Sequence, residues 1–254
     1  MKALKIAALA LLAAAPLAAE ARPADVRAAL AAPGRPADRT ALDAVRRPVE
    51  VLAFMGLERG DRALDYFTGS GYYAEIMAAA VGPEGLVVGW NSAAFGRNER
   101  VVASLNDIRA RHSNTVFYAT PATALAFAPA SFDFAMLHLV YHDAYWESAQ
   151  FGLPRIDPNS VTRALFDALK PGGIVAVIDH YAPAGGGDTR EVVEKLHRID
   201  PAVVKADFER AGFVLEAESD LLRTPEDDRS RNVFDPAIRG KTDRFVFRFR
   251  KPAP

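Results

Sequence analysis

Hydrophobic positions along the chain follow two alternating periods. Leu42, Val45, Val49, Leu52 and Ala53 recur at helical spacing, and Thr40 with Asp43 resembles a capping box ahead of them. After Gly60, the run 62–66 predicts a short strand that breaks at Thr68-Gly69-Ser70-Gly71, and a helix follows over 72–81. Gly82-Pro83-Glu84-Gly85 turns the chain into a second strand at 86–90. A helix over 97–111, strands at 115–118 and 132–140, and a helix over 161–169 come next. Pro171-Gly172-Gly173 reads as a turn before a fifth strand at 174–179, of near-continuous apolar character. Helices over 191–198 and 203–211, the second closed by Gly212, lead to strands at 214–218 and 245–249. The last alternates Phe245, Phe247 and Phe249 with Val246, Arg248 and Arg250, which predicts an edge strand. Strands alternating with helices predict an α/β domain with a mostly parallel sheet covered on both faces.

Residues 1–21 carry a different pattern. Lys2 and Lys5 precede an apolar stretch from Ile6 to Leu17, and Ala19-Glu20-Ala21 offers small residues around a cleavage point. This is the three-part pattern of a secretory signal peptide, with an apolar stretch too short to span a ~30 Å hydrocarbon core comfortably. The reading is a chain exported to a bacterial periplasm, with no stable membrane insertion after cleavage. Residues 22–39, rich in Ala, Pro and Arg, read as a linker or arm, and 40–254 as a single domain.

Composition narrows the chemistry. At 254 residues, 50% hydrophobic and 25% charged, the chain is ordinary for a globular protein with a buried core. Its net charge of -1 offers no basic field for nucleic acid. The absence of cysteine excludes disulfides, thiolate metal sites and a cysteine nucleophile.

The most informative stretch is Leu64-Asp65-Tyr66-Phe67-Thr68-Gly69-Ser70-Gly71-Tyr72, where a strand ends in an acidic residue, a glycine loop follows and a helix begins. Glycines there let a ligand approach the backbone, at the carboxyl end of a strand where open α/β sheets bind ligands. Further pieces follow in order: Val81-Gly82-Pro83-Glu84-Gly85-Leu86, Ser131-Phe132-Asp133-Phe134-Ala135-Met136, Leu169-Lys170-Pro171-Gly172-Gly173 and Ala211-Gly212-Phe213. In these pieces and their order the chain resembles the class I S-adenosylmethionine-dependent methyltransferases. It looks closest to an exported, predicted-methyltransferase branch through His142-Asp143 and the stretch from Asn232 to Lys241. The resemblance implies a Rossmann-like methyltransferase fold: a doubly wound, mostly parallel seven-stranded sheet, last strand antiparallel, helices on both faces. It also implies S-adenosylmethionine as cofactor and a small-molecule acceptor. The cofactor-binding positions implied are Asp65, Phe67, Thr68, Gly69, Gly71, Trp90, Asn91, Thr120 and His138. The family pattern is broken at three places. Phe67 stands where the first loop glycine is expected, Trp90-Asn91 where the second strand ends in a carboxylate, and Ala119-Thr120 where an Asp often meets the adenine. These departures motivate an alternative, a binding module that keeps the fold without using the cofactor.

Methyl transfer needs a positioned acceptor and a group to take its proton. The segments after the fourth and fifth strands supply candidates. His142 and His180 are possible bases near neutral pH, and Asp143 or Asp179 could orient an imidazole. Tyr141, Tyr145, Trp146 and Tyr181 could line an acceptor pocket, with Tyr141 placed among the catalytic candidates. A metal held by His138, His142, Asp143, Asp179 and His180 is a third reading, but needs a helix where the pattern predicts a strand end. The long polar stretch from Arg223 to Asp243 reads as a solvated loop, lid or partner-binding segment, with Arg239 and Lys241 available to an anionic acceptor.

Overall fold

Strand β1 (Arg62–Tyr66) is buried along all but its first residue, and this places it at the centre of the sheet. The computed structural model describes residues 22–253. The signal-peptide reading of residues 1–21 lies outside them. β1 pairs in parallel with β2 (Leu86–Ser92) on one side and β4 (Phe132–His138) on the other. With β3 (Thr115–Thr120), β5 (Leu169–His180), β6 (Val214–Ser219) and β7 (Arg244–Arg250), the order is β3-β2-β1-β4-β5-β7-β6. β7 alone runs opposite to the other strands, antiparallel to both β5 and β6. The chain leaves β1 towards β2 and β3, then returns past it to β4. The carboxyl ends of β1 and β4 therefore flank the switch point, where a crevice opens.

The alternation along each strand sorts side chains between two cores. One face of β4, β5 and β7 carries Met136, Ala176, Ile178 and Val246. It packs against α1 (Val26–Ala31), α4 (Pro48–Met55) and α5 (Tyr72–Val81). The other face presents Leu137, Val175, Val177 and the phenylalanines of β7 to α7 (Pro158–Ala168) and α9 (Pro201–Arg210). α6 (Glu99–Arg111) covers β3 through Val101, Leu105 and Ile108. α8 (Thr189–Leu196) inserts Val193. Each such buried Val, Leu, Ile, Met or Phe contributes about 1.5–3 kcal/mol.

Three expectations change. The single helix expected from 42 onward breaks into α3 (Asp43–Arg46) and α4, because Arg47 adopts a left-handed φ of 45° ahead of Pro48. Pro171-Gly172-Gly173 does not precede the fifth strand but lies within it. Gly172 takes φ 81° and forms an irregularity inside β5, where Lys251 bonds both Gly172 and Gly173. β7 is interior rather than an edge, and β6 is the edge. Its alternation arises because Phe245, Phe247 and Phe249 fill one core, while Arg248 and Arg250 pair with Glu216 of β6.

Residues 22–39 carry α1 and α2 (Ala37–Thr40), and α1 packs on α5. Arg35 pairs with Asp43 of α3 at 2.6 Å within this segment, while Arg39 of α2 pairs with the buried Glu75 of α5 at 2.5 Å and Tyr72 of α5 donates its hydroxyl to Asp43 at 2.8 Å. Among the described residues no helix is long and apolar enough to cross a membrane.

Candidate functional site

The chain leaves β1 through three left-handed residues, Phe67 (φ 54°), Gly69 (φ 56°) and Gly71 (φ 86°), before α5 begins. The two glycines differ in their surroundings. A Cβ at Gly71 would stand 2.4 Å from Ile108 Cδ1, so a larger residue would push back the α6 side chains packed there, besides straining a backbone at φ 86°. A Cβ at Gly69 would meet nothing within 4 Å, since this residue faces open space. The loop is pinned from behind. Asp65 accepts the Thr68 hydroxyl at 2.6 Å, and Trp90 C=O accepts the Thr68 N–H at 2.8 Å. Asn91 Oδ1 accepts the Gly69 N–H at 2.9 Å while its Nδ2 donates to the Gly69 C=O at 3.0 Å. Burial pushes the Asp65 carboxyl up to about 6.

A cleft of about 760 Å³ opens in front of this loop. Asp65, Phe67, Thr68, Gly69 and His138 line it. Trp90, Asn91, Thr120 and Gly71 do not. Trp90 is buried, stacked on Tyr66 at 5.1 Å, and its Nε1 donates to Thr120 Oγ1 at 2.8 Å. Asn91 spends its amide on Gly69. Phe67 holds its ring edge-on to Trp90 and Phe95, at 5.7 and 5.0 Å. The ring thus forms part of the cleft wall instead of filling the cleft.

The opposite wall comes from the arm, through Arg39, Leu42 and Arg46. Arg39 is held by Glu75 and by Ser104 Oγ, which itself donates to Ser70 C=O. Arg46 stands 4.3 Å over the Tyr72 ring, and among the described residues no hydrogen bond or ion pair engages its guanidinium. Burial lowers its pKa from the usual arginine value. His138 Nε2 is also buried without a partner, and burial holds this imidazole neutral, well below the ordinary histidine pKa.

Beyond β4, Leu139 takes a left-handed φ of 59° and the chain enters a 3₁₀ turn, His142–Tyr145. Asp179, fully buried at the end of β5, accepts the backbone N–H of His142 at 2.9 Å and of His180 at 2.8 Å, and stands 2.8 Å from His142 Nδ1. His142 Nε2 is thereby turned towards Asp143, 3.4 Å from Oδ1. Burial alone would lower the His142 pKa, but the Asp179 and Asp143 carboxylates outweigh it and push it up to about 9. Asp143 is pushed up to about 6 by burial, against the pull of His142. His180 lies well below its usual value through burial and the His142 charge, with Nδ1 2.8 Å from Thr242 Oγ1. Tyr141 stands apart from these groups. It is fully buried against Phe208 and donates its hydroxyl to Asp207 at 2.7 Å. Among the described residues no three His, Asp or Glu side chains converge closely enough to hold a metal ion.

A second cavity of about 390 Å³ lies beyond the cleft. Phe95, Leu139 and Asp143 line both. His142, His180 and Trp146 line the second, together with His197, absent from the sequence-based candidates. His197 closes α8 in a left-handed conformation (φ 50°), and its Nδ1 is buried without a partner. Burial and the His142 charge pull its pKa down to about 4. The loop before β7 covers this cavity with Val233 and Phe234. Ion pairs on buried carboxylates hold that loop: Arg198 with Asp227 at 2.8 Å, and the partly exposed Arg223 and Arg229 with Asp243 at 2.8 and 2.9 Å. Arg239 and Lys241 lie exposed, outside both cavities.

The fold agrees with that of known proteins. A structure of an S-adenosylmethionine-dependent methyltransferase from Aquifex aeolicus superposes with a TM-score of 0.58 at 19% identity, covering 86% of this chain and 99% of that one. One from Mesorhizobium loti gives 0.56 at 18%, covering 82% and 99%. The chain has the class I methyltransferase fold. Within it, residues 42–125 match the protein-L-isoaspartate(D-aspartate) O-methyltransferase (PCMT) family. That span runs from the cleft-lining arm past β3. A demethylmenaquinone methyltransferase from Listeria monocytogenes is 30% identical over 139 residues, 53% of this chain. The chain spans about half the length of the curated relatives it matches, 51% in that case.

Proposed function

We propose that the protein is an S-adenosylmethionine-dependent methyltransferase acting on a small-molecule acceptor. The observation that carries this reading is Asp143, a carboxylate shared by the glycine-loop cleft and the adjoining cavity. A base that meets both chambers suits transfer between a cofactor in one and an acceptor in the other. The matched relatives are methyltransferases, which supports the same reading.

The cleft residues fit the cofactor. Gly69 leaves the loop backbone open to close approach, Arg46 is a free cation suited to an α-carboxylate, and His138 Nε2 is a buried polar atom without a partner. Phe67 and Phe95 add apolar wall. Asn91 takes the place of the usual ribose-binding carboxylate and braces the loop instead. When bound, S-adenosylmethionine supplies a methyl group already activated on a sulfonium. The chain's own task is positioning and proton transfer. Asp179 orients His142, whose Nε2–H faces the boundary, and Asp143 accepts the acceptor's proton.

The pattern of residues 1–21 adds export to the periplasm, and the near-neutral charge favours a small acceptor over nucleic acid. Native mass spectrometry of the purified chain tests the assignment. Recovery of S-adenosylmethionine or S-adenosylhomocysteine on the folded protein, lost in Gly69→Val, supports it. Folded protein that retains neither after incubation with both contradicts it and leaves a binding module of the same fold.

A further inference from the structure

The second cavity has a composition unlike that of the cleft. Phe95, Trp146, Phe151, Leu153, Val233 and Phe234 supply its walls. The rings form a near-continuous chain, with Phe95–Phe151 at 6.0 Å, Trp146–Phe151 at 5.5 Å and His197–Phe234 at 5.0 Å. Its mouth is apolar too, since Phe151 and Phe234 remain 38% and 55% exposed. Polar groups gather at one end, where His142, Asp143, His180 and His197 stand. No arginine or lysine lines it.

These features discriminate among acceptor chemistries. An anionic acceptor would be buried facing Asp143, and the one cation beside it, the His142 imidazolium, is already paired with Asp179 and Asp143. A neutral amine nucleophile would become cationic during transfer, beside the imidazolium of His142. An oxygen nucleophile develops negative charge, which that imidazolium stabilises. His142 Nε2 and Asp143 Oδ1, 3.4 Å apart, offer one donor and one acceptor, the pair that a hydroxyl satisfies with its own lone pair and proton. The volume of about 390 Å³ is near the lower end of ligand cavities, enough for one or two rings.

Building on the methyltransferase reading, we infer that the acceptor is a neutral, apolar ring compound carrying a weakly acidic hydroxyl, a phenol in chemical class, seated in this cavity with its oxygen between His142 and Asp143. In the reaction a bond forms between the phenol oxygen and the methyl carbon. The carbon–sulfur bond breaks with its electron pair left on sulfur, and the hydroxyl proton passes to Asp143. Phe234 and Phe151 form the entrance, and His197 closes the far wall against Trp146 at 4.5 Å.

The test uses three probes of one shape, 5-indanol, indane and indane-5-carboxylate, titrated into the full chain by calorimetry with and without S-adenosylhomocysteine. Cofactor binding is read separately in the same preparations, so failure of the methyltransferase reading is seen apart from failure of this one. The expected result is saturable binding of 5-indanol at least tenfold tighter than of the carboxylate. Leu153→Arg should abolish it, as should Phe234→Arg at the exposed mouth if the first variant does not fold. Asp143→Asn should weaken 5-indanol by about two- to tenfold, the range of one hydrogen bond, while leaving indane unchanged. Tighter or equal binding of the carboxylate, unchanged 5-indanol affinity in a folded cavity variant, or no saturable 5-indanol binding under either condition overturns the inference.

Discussion

Asn91 engages both backbone polar groups of Gly69, accepting its N–H at 2.9 Å and donating to its C=O at 3.0 Å. A side chain at the end of β2 thus fixes the shape of the loop at the end of β1. Asn91→Asp keeps the first bond and turns the second into a repulsion between a carboxylate and a carbonyl. Leaving such buried groups unsatisfied costs about 1–3 kcal/mol. The expected outcome is a fall in Tm of about 2–12 °C for a domain of this size, read by thermal unfolding. Unchanged Tm would show that the clamp contributes nothing.

Phe67 holds a left-handed backbone that glycine would adopt freely. Phe67→Gly relieves about 1–3 kcal/mol of strain but removes a ring packed on Trp90 and Phe95, whose loss costs about 3–5 kcal/mol. Packing wins, so the variant should be less stable by about 2 kcal/mol, measured by urea unfolding. A more stable variant would mean that the ring is poorly packed.

Glu75 is 1% exposed and pairs with both Arg39 and Arg111. Removing one partner of a buried pair costs about 3–5 kcal/mol because the other charge remains buried. Glu75→Ala should therefore free the cleft-lining arm. The check is hydrogen exchange across 35–47, expected to speed up in the variant while β1 and β4 stay protected. Unchanged exchange there would show that the arm is held by other contacts.

The His142 imidazole faces Asp179, Asp143, His180 and His197, and its pKa stands at about 9 against an ordinary 6.5. A raised histidine pKa stabilises the fold fully below pH 6.5, and that contribution is lost as pH rises through about 9. Asp143, raised to about 6 from 3.8, acts in the same direction at lower pH. Titration of the His142 ring by NMR should show its midpoint near 9, moving down in Asp179→Asn. Turnover should rise through about pH 6 as Asp143 ionises and fall through about 9 as His142 loses its proton. An unshifted midpoint in Asp179→Asn would remove Asp179 as the orienting group.

The sheet and the glycine loop were legible because they rest on local signals: apolar runs, turn glycines and their order. The direction of individual side chains was not. In a sheet covered on both faces, strands are apolar on both sides, so nothing in Leu86 to Trp90 tells which face Trp90 takes. Tyr141 looked like a pocket residue because its partner, Asp207, lies 66 positions away on α9. Arg46 was hidden inside an apolar helical pattern, and the break at Arg47 that positions it follows from Pro48. His197 fell at the end of a helical run, and only its left-handed conformation turns it towards His142. The alternation of Phe245, Phe247 and Phe249 reflects a one-sided aromatic core, a pattern that an exposed edge shares.

The proposed cofactor site is the glycine-loop cleft, with Arg46 as its free cation. Calorimetric titration of S-adenosylhomocysteine into the folded chain and its Arg46→Ala variant tests this most directly. The expected result is one site of micromolar affinity, weakened about tenfold or more in Arg46→Ala, the loss of a charge-assisted hydrogen bond. Absence of binding to folded wild-type protein, or equal affinity in the variant, would contradict it.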